Sequence, residues 1–503
     1  MQYMRGRRSD YNELAKHVGS DEWSWDNLLP YFRKHEHLEA DNRATYPASA
    51  HGIHGPVHTS TTKSQIPIEN PFLDACNEIA RFNREVQDPT NGSHDSFFAS
   101  LSTVDRTERP GTRSYAASAY VLPNLHRPNL KILTKANVAN VLFDTNKSAL
   151  TAIGVRFKHS ALEYTATAKK EVILSAGTYK TPQLLELSGI GDPVVLKSAG
   201  VECLVPNPSV GSNLQDHTAF LTTFELAPGG FSVDAFAIPE VVQPFMELYQ
   251  ATGTGPLASP PAGMGFLSYA AIVSPKELQD TVSVAELNDS TDKPLAASQL
   301  QLSISRLRDP SAGAIQILFV PAHIDADEGR RDQSKFIQPA STGNNHVTAI
   351  TCFHYPLSRG SVHITSSNPE VQPAIDPAFL SHPVDMAVLR AVLPFLNKVS
   401  VSPALKDQWN AGFSLVEKFG LGSKSAEEEY IRNNVGTEHH PIGTAAMGDV
   451  VDTQLKVKGV QGLRCVDASV LPTNISGNPM ATIYAIAEKA VVMIRDAYEK
   501  DEA

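Results

Sequence analysis

The sequence predicts an α/β protein with an α+β second domain, and three observations carry that prediction. The chain is 503 residues long, beyond the size at which a single hydrophobic core stops growing. The run Glu171-Val172-Ile173-Leu174-Ser175-Ala176-Gly177 is a short apolar strand ending in small residues, followed by a helix through Leu184, Leu185 and Leu187. Strand, glycine turn and helix together are the crossover unit of a parallel sheet. Between about Thr218 and Asn345 the composition shifts to polar loops and short apolar runs, which marks a separate cap or substrate unit.

Taken in order, the stretch from Trp23 to Phe32 has the aromatic and leucine spacing of a short amphipathic helix with Ser24 as its N-cap. A helix-like run from Arg113 to Leu122 precedes two strand-like segments, Leu130–Thr134 and Val138–Phe143, with further alternation from Thr151 to Phe157. A small antiparallel sheet fits these. After Gly177, Thr181 is expected to cap the next helix, whose first turn accepts Pro182, and Ser188-Gly189 to close it. Strands are expected again at His346–Phe353 and Gly360–Thr365. Helices follow around Asp385–Val399 and Ala426–Asn433, the latter opening on a Ser425-x-x-Glu428 capping box. Near the carboxy terminus Pro479 suits a first helical turn, with Met480, Ile483, Tyr484, Ala487, Ala490 and Ile494 at helical spacing behind it.

Composition excludes several function classes. A net charge of −11 disfavours a surface for nucleic acid. The longest apolar runs, such as Val491-Val492-Met493-Ile494, fall far short of the roughly 20 residues that span a bilayer. Cys76, Cys203, Cys352 and Cys465 are widely spaced and read as buried free thiols. No secretory signal follows the basic first residues, and the acceptor sequons at Asn91, Asn146, Asn288 and Asn474 do not establish secretion. Localisation and oligomeric state stay open. His51, His54 and His58 have spacings that could be taken for a metal site but lie in a Gly-Pro stretch, so they read as a loop. Asp325-Ala326-Asp327-Glu328-Gly329 lacks the other ligands of a calcium loop and reads as a solvated turn.

The strongest signal is the whole string Gly177–Gly191, which resembles the second signature of the glucose-methanol-choline (GMC) oxidoreductases residue for residue. Val210-Gly211-Ser212-Asn213-Leu214-Gln215-Asp216-His217, the Trp25–Phe32 stretch, Arg113-Ser114, Pro356–Ser361 and the carboxy-terminal block extend the resemblance over essentially the full chain. It implies a discontinuous FAD-binding domain of residues 1–60, 110–217 and 435–503. A substrate-binding cap of residues 61–109 and 218–434 with an antiparallel sheet would complete the fold. It also implies oxidation of a small-molecule alcohol with non-covalent FAD, and oxygen or a quinone as electron acceptor.

The same resemblance places the reacting centre in His439–Gly448 and in Asp467–Met480. His440 aligns with the family's base, and a neutral imidazole suits that task because its ordinary pKa of about 6.5 lies near working pH. The second position, His or Asn in the family, is Asn478 here, which can hydrogen-bond the substrate oxygen without titrating. Pro479 and Met480 open the following helix, whose free N–H groups favour negative charge on the flavin. By resemblance, Asp467 and Ala468 also contact the cofactor and Val138 lies against its adenine. On the residues alone, His440 before a proline reads as a turn histidine and Asn478 as a helix cap.

Family members begin with a strand, a Gly-x-Gly-x-x-Gly turn and a helix that hold the pyrophosphate, and that fingerprint is absent from this sequence. The first residues, Gln2-Tyr3-Met4-Arg5-Gly6, resemble the piece that follows the family's flavin loop. The expectation is therefore a chain truncated at its amino terminus, with an incomplete Rossmann-like sheet, an incomplete cofactor site and a tendency to aggregate. A non-redox enzyme of the cyclase or dehydratase type on the same scaffold, or an inactive remnant unable to bind FAD, are the alternatives. The substrate is open among primary alcohols, aryl alcohols, sugars and secondary-metabolite precursors.

Overall fold

The computed structural model describes residues 1–39, 46–82, 88–94, 96–287, 296–410 and 414–501; the sequon at Asn288 lies outside them. Buried apolar side chains gather into two large clusters. In one of them, the helix Arg8–Val18 buries Tyr11 and Leu14, and the helix Trp25–His35 buries Trp25, Leu28 and Phe32. The carboxy-terminal helix Met480–Asp501 packs against the latter. Ser24 stands at the N-cap of Trp25–His35, but its hydroxyl caps nothing; it accepts a hydrogen bond from Asn27 Nδ2 at 3.2 Å.

The predicted crossover is present. Val172–Leu174 pairs in parallel with Leu463–Cys465, a strand brought from the far end of the chain. The helix that follows spans Gly177–Leu187 and begins earlier than the sequence predicts, so Thr181 lies inside it rather than at its cap. The reason is a substitution of partners. Pro182 has no N–H to give to the Thr178 carbonyl one turn back, and the Thr444 hydroxyl donates to that carbonyl instead, at 2.6 Å. From inside the helix the Thr181 hydroxyl accepts from the N–H of Ala176, the N-cap residue, at 3.1 Å and donates to Asp467 Oδ2 at 2.6 Å.

Ala136–Asp144, Thr151–His159 and Leu162–Thr167 form the small antiparallel sheet. Leu130–Thr134 is not part of it. That segment is irregular, with Ile132 and Leu133 more than half exposed, because β propensity without a partner ladder makes no strand. Arg113–Leu122 likewise yields only a π-helical turn at Ala117–Val121 and a 3-10 turn at Leu122–Asn124, where Pro123 removes a helical donor.

The second cluster lies on a six-stranded antiparallel sheet ordered Val435–Thr437, Thr218–Glu225, His346–Phe353, Ile315–Val320, Gly263–Leu267, Phe97–Ala99. Three of these strands come from the stretch whose composition reads as polar loops. Alternation assigns the two faces. Phe220, Phe224, Ile315, Ile317, Phe319, Val347 and Phe353 face the helix Pro383–Ser400, which buries Val388, Leu389, Val392 and Leu396 against them. Ala219, Met264, Phe266, Leu318, Ile350 and Cys352 form a smaller cluster on the opposite face. That face looks toward the candidate site.

Other local expectations shift for identifiable reasons. The helix Lys424–Asn434 is capped by the Ser423 hydroxyl, which accepts from Ala426 N at 3.3 Å, so the predicted Ser425–Glu428 box is already inside the helix. Asp325 is not a solvated turn residue: its carboxylate caps the helix Ala326–Arg331 by accepting from Asp327 N and Glu328 N. All four cysteines are free; Cys203 is half-buried and the others are buried. Among the described residues no helix is long and apolar enough to cross a membrane.

Candidate active site

The Val210–His217 stretch ties the two carboxy-terminal segments together. Asn213 Nδ2 donates to the carbonyls of Gly443 and Pro472, and Gln215 Nε2 donates to that of Pro472. Gln215 and Ile442 exchange backbone hydrogen bonds. Asp216 then accepts from the His440 N–H at 3.0 Å and from the Thr437 hydroxyl. Between Thr437 and His440 the chain turns through His439, held in the left-handed region at φ 62°, the kind of backbone strain that surrounding structure must hold in place. His440 is thereby fixed from both sides, and the residue is half-buried.

On the other strand of the site, the loop before Met480–Asp501 is anchored from below. Buried Asp10 accepts from Ser476 N at 2.8 Å and Ser476 Oγ at 2.6 Å, and from the Tyr355 hydroxyl at 2.7 Å. Arg306 Nη1 donates to the Asn474 carbonyl and to Thr473 Oγ1, both at 3.1 Å. Gly477, at φ 76°, turns the chain so that Asn478 stands at the start of the helix.

These anchors bring His440 and Asn478 to 3.2 Å, Nε2 to Nδ2. A third residue completes the chain of contacts: His217 Nδ1 lies 2.9 Å from His440 Nδ1, and His217 Nε2 lies 3.0 Å from the Ile475 carbonyl. A carbonyl can only accept, so His217 carries its proton on Nε2 and offers a lone pair at Nδ1. His440 must then donate from Nδ1, which leaves its Nε2 as the acceptor of the Asn478 amide N–H. Gln316 Nε2 approaches Asn478 Oδ1 at 3.5 Å, and Gln316 in turn meets His354 Nε2 at 3.2 Å.

Electrostatics agrees with neutral rings. Burial, then the neighbouring His354 and His439, pushes His440 down to about 3. Burial, then the neighbouring His354 and His440, holds His217 well below its ordinary value. Burial pushes Asp216 up to about 6 and Glu438 up to about 8.

The remaining residues expected at the site occupy two places. Pro479 is buried and Met480 half-buried at the head of the carboxy-terminal helix, beside Asn478. Asp467 and Ala468 lie at the end of the parallel strand pair, where Asp467 Oδ2 accepts from Gly177 N at 2.9 Å as well as from Thr181. Val138 lines a cavity of about 390 Å³ with Leu174, Ser175 and Ala176, at the carboxyl end of that strand. His51, His54 and His58 do not converge. His51 joins a buried network with Glu36, Asp88 and Thr90, while His58 bonds Glu39 at 2.9 Å. His58 does lie within reach of His37 and Glu39, but the two rings stack with planes 8° apart, so their in-plane lone pairs run parallel rather than toward one ion.

His217 closed a motif in the sequence without any role attached to it. Gln316 and His354 carried no signal, because only cross-strand register brings them to the site.

Comparison with known proteins places this geometry in context. Two family models, both described as GMC oxidoreductase, match residues 1–219 and 356–487. The chain is 40% identical over 510 residues to dehydrogenase citC of Monascus ruber, covering 98% of this chain and 81% of the relative. It is 31% identical over 531 residues to a dehydrogenase of Armillaria gallica, covering 99% and 78%. Among solved structures, an FAD-dependent oxidoreductase from Chaetomium thermophilum superposes with a TM-score of 0.85 at 27% identity, covering 99% of this chain and 85% of that one. A fungal aryl-alcohol oxidase superposes with a TM-score of 0.82 at 25% identity, covering 99% and 84%.

Proposed function

The chain belongs to the GMC oxidoreductase family, and from that premise we propose that it oxidises an alcohol with FAD, His440 serving as the base and Asn478 as its partner. The observation that carries this reading is the directional chain Ile475–His217–His440–Asn478, which leaves an unprotonated Nε2 on His440 where an amide N–H also points.

The residues present fit the cofactor. A cavity lined by Val138 opens at the carboxyl end of a parallel strand, the usual place for a nucleotide in such sheets. At Gly177 an added Cβ would meet nothing within 4 Å, so the backbone there is open to close approach. Asp467 fixes that turn, Ala468 lies beside it, and the head of Met480–Asp501 with Pro479 presents free N–H groups to an anion. When bound, FAD supplies the hydride acceptor, and oxygen or a quinone restores it.

The chain's own residues do the rest. The alcohol oxygen accepts from Asn478 Nδ2, its hydroxyl donates to His440 Nε2, and the proton passes to that nitrogen as the carbon-bound hydrogen leaves. The His217 ring holds the tautomer throughout. Transient charge on His440 is met by Asp216, which already accepts from its backbone N–H. In this reading residues 1–60, 110–217 and 435–503 hold the cofactor, and residues 61–109 and 218–434 shape the substrate side.

Anaerobic addition of alcohols to the FAD-loaded protein tests the proposal. Bleaching of the visible flavin band supports it. Conversion of an alcohol without any electron acceptor and without bleaching would instead assign non-redox chemistry to the site.

A further inference from the structure

Phe266, Gln316, Cys352, Ala219 and Gly436 are successive register partners across the six-stranded sheet. Residues directly opposite one another in a ladder point to the same face, so this row runs straight out from the reacting centre. Gln316, the member that meets Asn478, lies two strands from Ala219, a separation of roughly 10 Å at the usual interstrand spacing. Where the row reaches Ala219 and Gly436, a cavity of about 440 Å³ opens on that face.

The cavity is walled mainly by apolar groups, among them Ala219, Leu221, Phe336 and Ile350, with Gln333, Asn434, Thr437 and His439 as polar members and Glu438 as its carboxyl group. Glu438 is two residues from His440, and its N–H donates to the His217 carbonyl. Its side chain receives the Cys352 thiol, and Asp216 is the nearby charge that opposes its ionisation. Burial among apolar walls keeps this carboxyl protonated in the neutral range, which makes it a hydrogen-bond donor facing an apolar chamber. On its outer side the chamber shares Leu221, Ala326 and Asn434 with a larger polar trench of about 880 Å³, which gives a ligand a way in.

We propose that this chamber binds the body of the substrate, and that the substrate is an uncharged, mainly apolar alcohol roughly 10 Å long carrying an accepting oxygen, a ketone or phenol, that Glu438 holds. The inference rests on the reading of His440 and Asn478 given above, which fixes the hydroxyl end. An anionic body would find no Lys or Arg in these walls among the described residues, and a cationic one would meet only a carboxyl that burial keeps protonated. A short alcohol would leave the chamber unfilled and gain nothing from it.

Anaerobic calorimetric titration with 4-(hydroxymethyl)benzophenone and with benzyl alcohol, on FAD-loaded protein whose flavin has first been reduced with dithionite so that it can accept no hydride, tests this without turnover. The ketone is expected to bind at least tenfold more tightly. Gly436→Phe fills the chamber: a Cβ at Gly436 meets nothing within 4 Å and Val435–Thr437 is an edge strand, so the variant should fold. It is expected to collapse the preference to near unity. Glu438→Ala should weaken the ketone about tenfold, whereas Glu438→Gln, which still donates a hydrogen bond, should stay within threefold of the parent. Equal binding of the two alcohols, or a preference that survives Gly436→Phe, overturns the proposal. Because binding is read apart from chemistry, a failure of His440 as the base shows in turnover and leaves these affinities untouched.

Discussion

Nδ1 of His440 lies 2.9 Å from Nδ1 of His217, a contact between two neutral rings of which only one can donate. The Ile475 carbonyl, 3.0 Å from the far nitrogen of His217, decides which. The consequence reaches the chemistry: the tautomer of His440, and so the identity of the basic nitrogen, is set by a carbonyl two rings away.

His217→Phe keeps the ring volume and removes the acceptor, leaving His440 free to carry its proton on Nε2, facing the substrate. Turnover should fall by roughly 10²-fold or more, as expected when a general base is held in the wrong tautomer, with a smaller change in KM. Steady-state kinetics at matched flavin content reads the split.

Asn478→Asp replaces an amide donor with a carboxylate 3.2 Å from His440 Nε2. An adjacent negative charge favours the imidazolium and raises its pKa. The acidic limb of the pH–rate profile should therefore move to higher pH, while Asn478→Ala lowers the rate without moving the limb upward.

Glu438 gives stability a specific pH dependence. Its carboxyl ionises near 4.5 when unfolded and at about 8 when folded, because burial opposes the charge. Between those values the unfolded chain binds fewer protons than the folded one, so this group's contribution falls as pH rises from about 4.5 to about 8 and is level outside that window. Glu438→Gln should flatten the decline, and its melting temperature should gain on the parent as pH rises toward 8.

Asp10 anchors the loop that carries Asn478 and pairs with buried Arg306, Oδ1 to Nη2 at 3.8 Å. Arg306 keeps Glu13, Nε to Oε2 at 2.9 Å, so the loss falls on the buried Ser476 and Tyr355 donors left without an acceptor, and Asp10→Ala should cost about 1–3 kcal/mol. Chemical denaturation measures it, and the midpoint should fall with little change in slope.

Much of this was legible in the sequence where the signal is local. The strand and helix around Gly177 and the strands at Ala136–Asp144 and Thr151–His159 follow from apolar runs and alternation. Leu130–Thr134 shows the limit of that logic, since its propensity has no neighbouring strand to act on. The start of the Gly177–Leu187 helix was misplaced because Thr444, distant in sequence, supplies what Pro182 withholds. Of the candidate site, His440 and Asn478 are the residues that the resemblance names. His217, Gln316 and His354 join them through sheet register and a folded-back loop, which no local pattern encodes.

The most direct test is the kcat/KM of FAD-loaded His440→Ala on the best alcohol, with flavin content and melting temperature measured alongside. A loss of roughly 10²- to 10⁴-fold at unchanged flavin content is the result this account predicts. A loss of less than about tenfold with flavin retained would contradict it, since general-base catalysis by that ring is worth more than this.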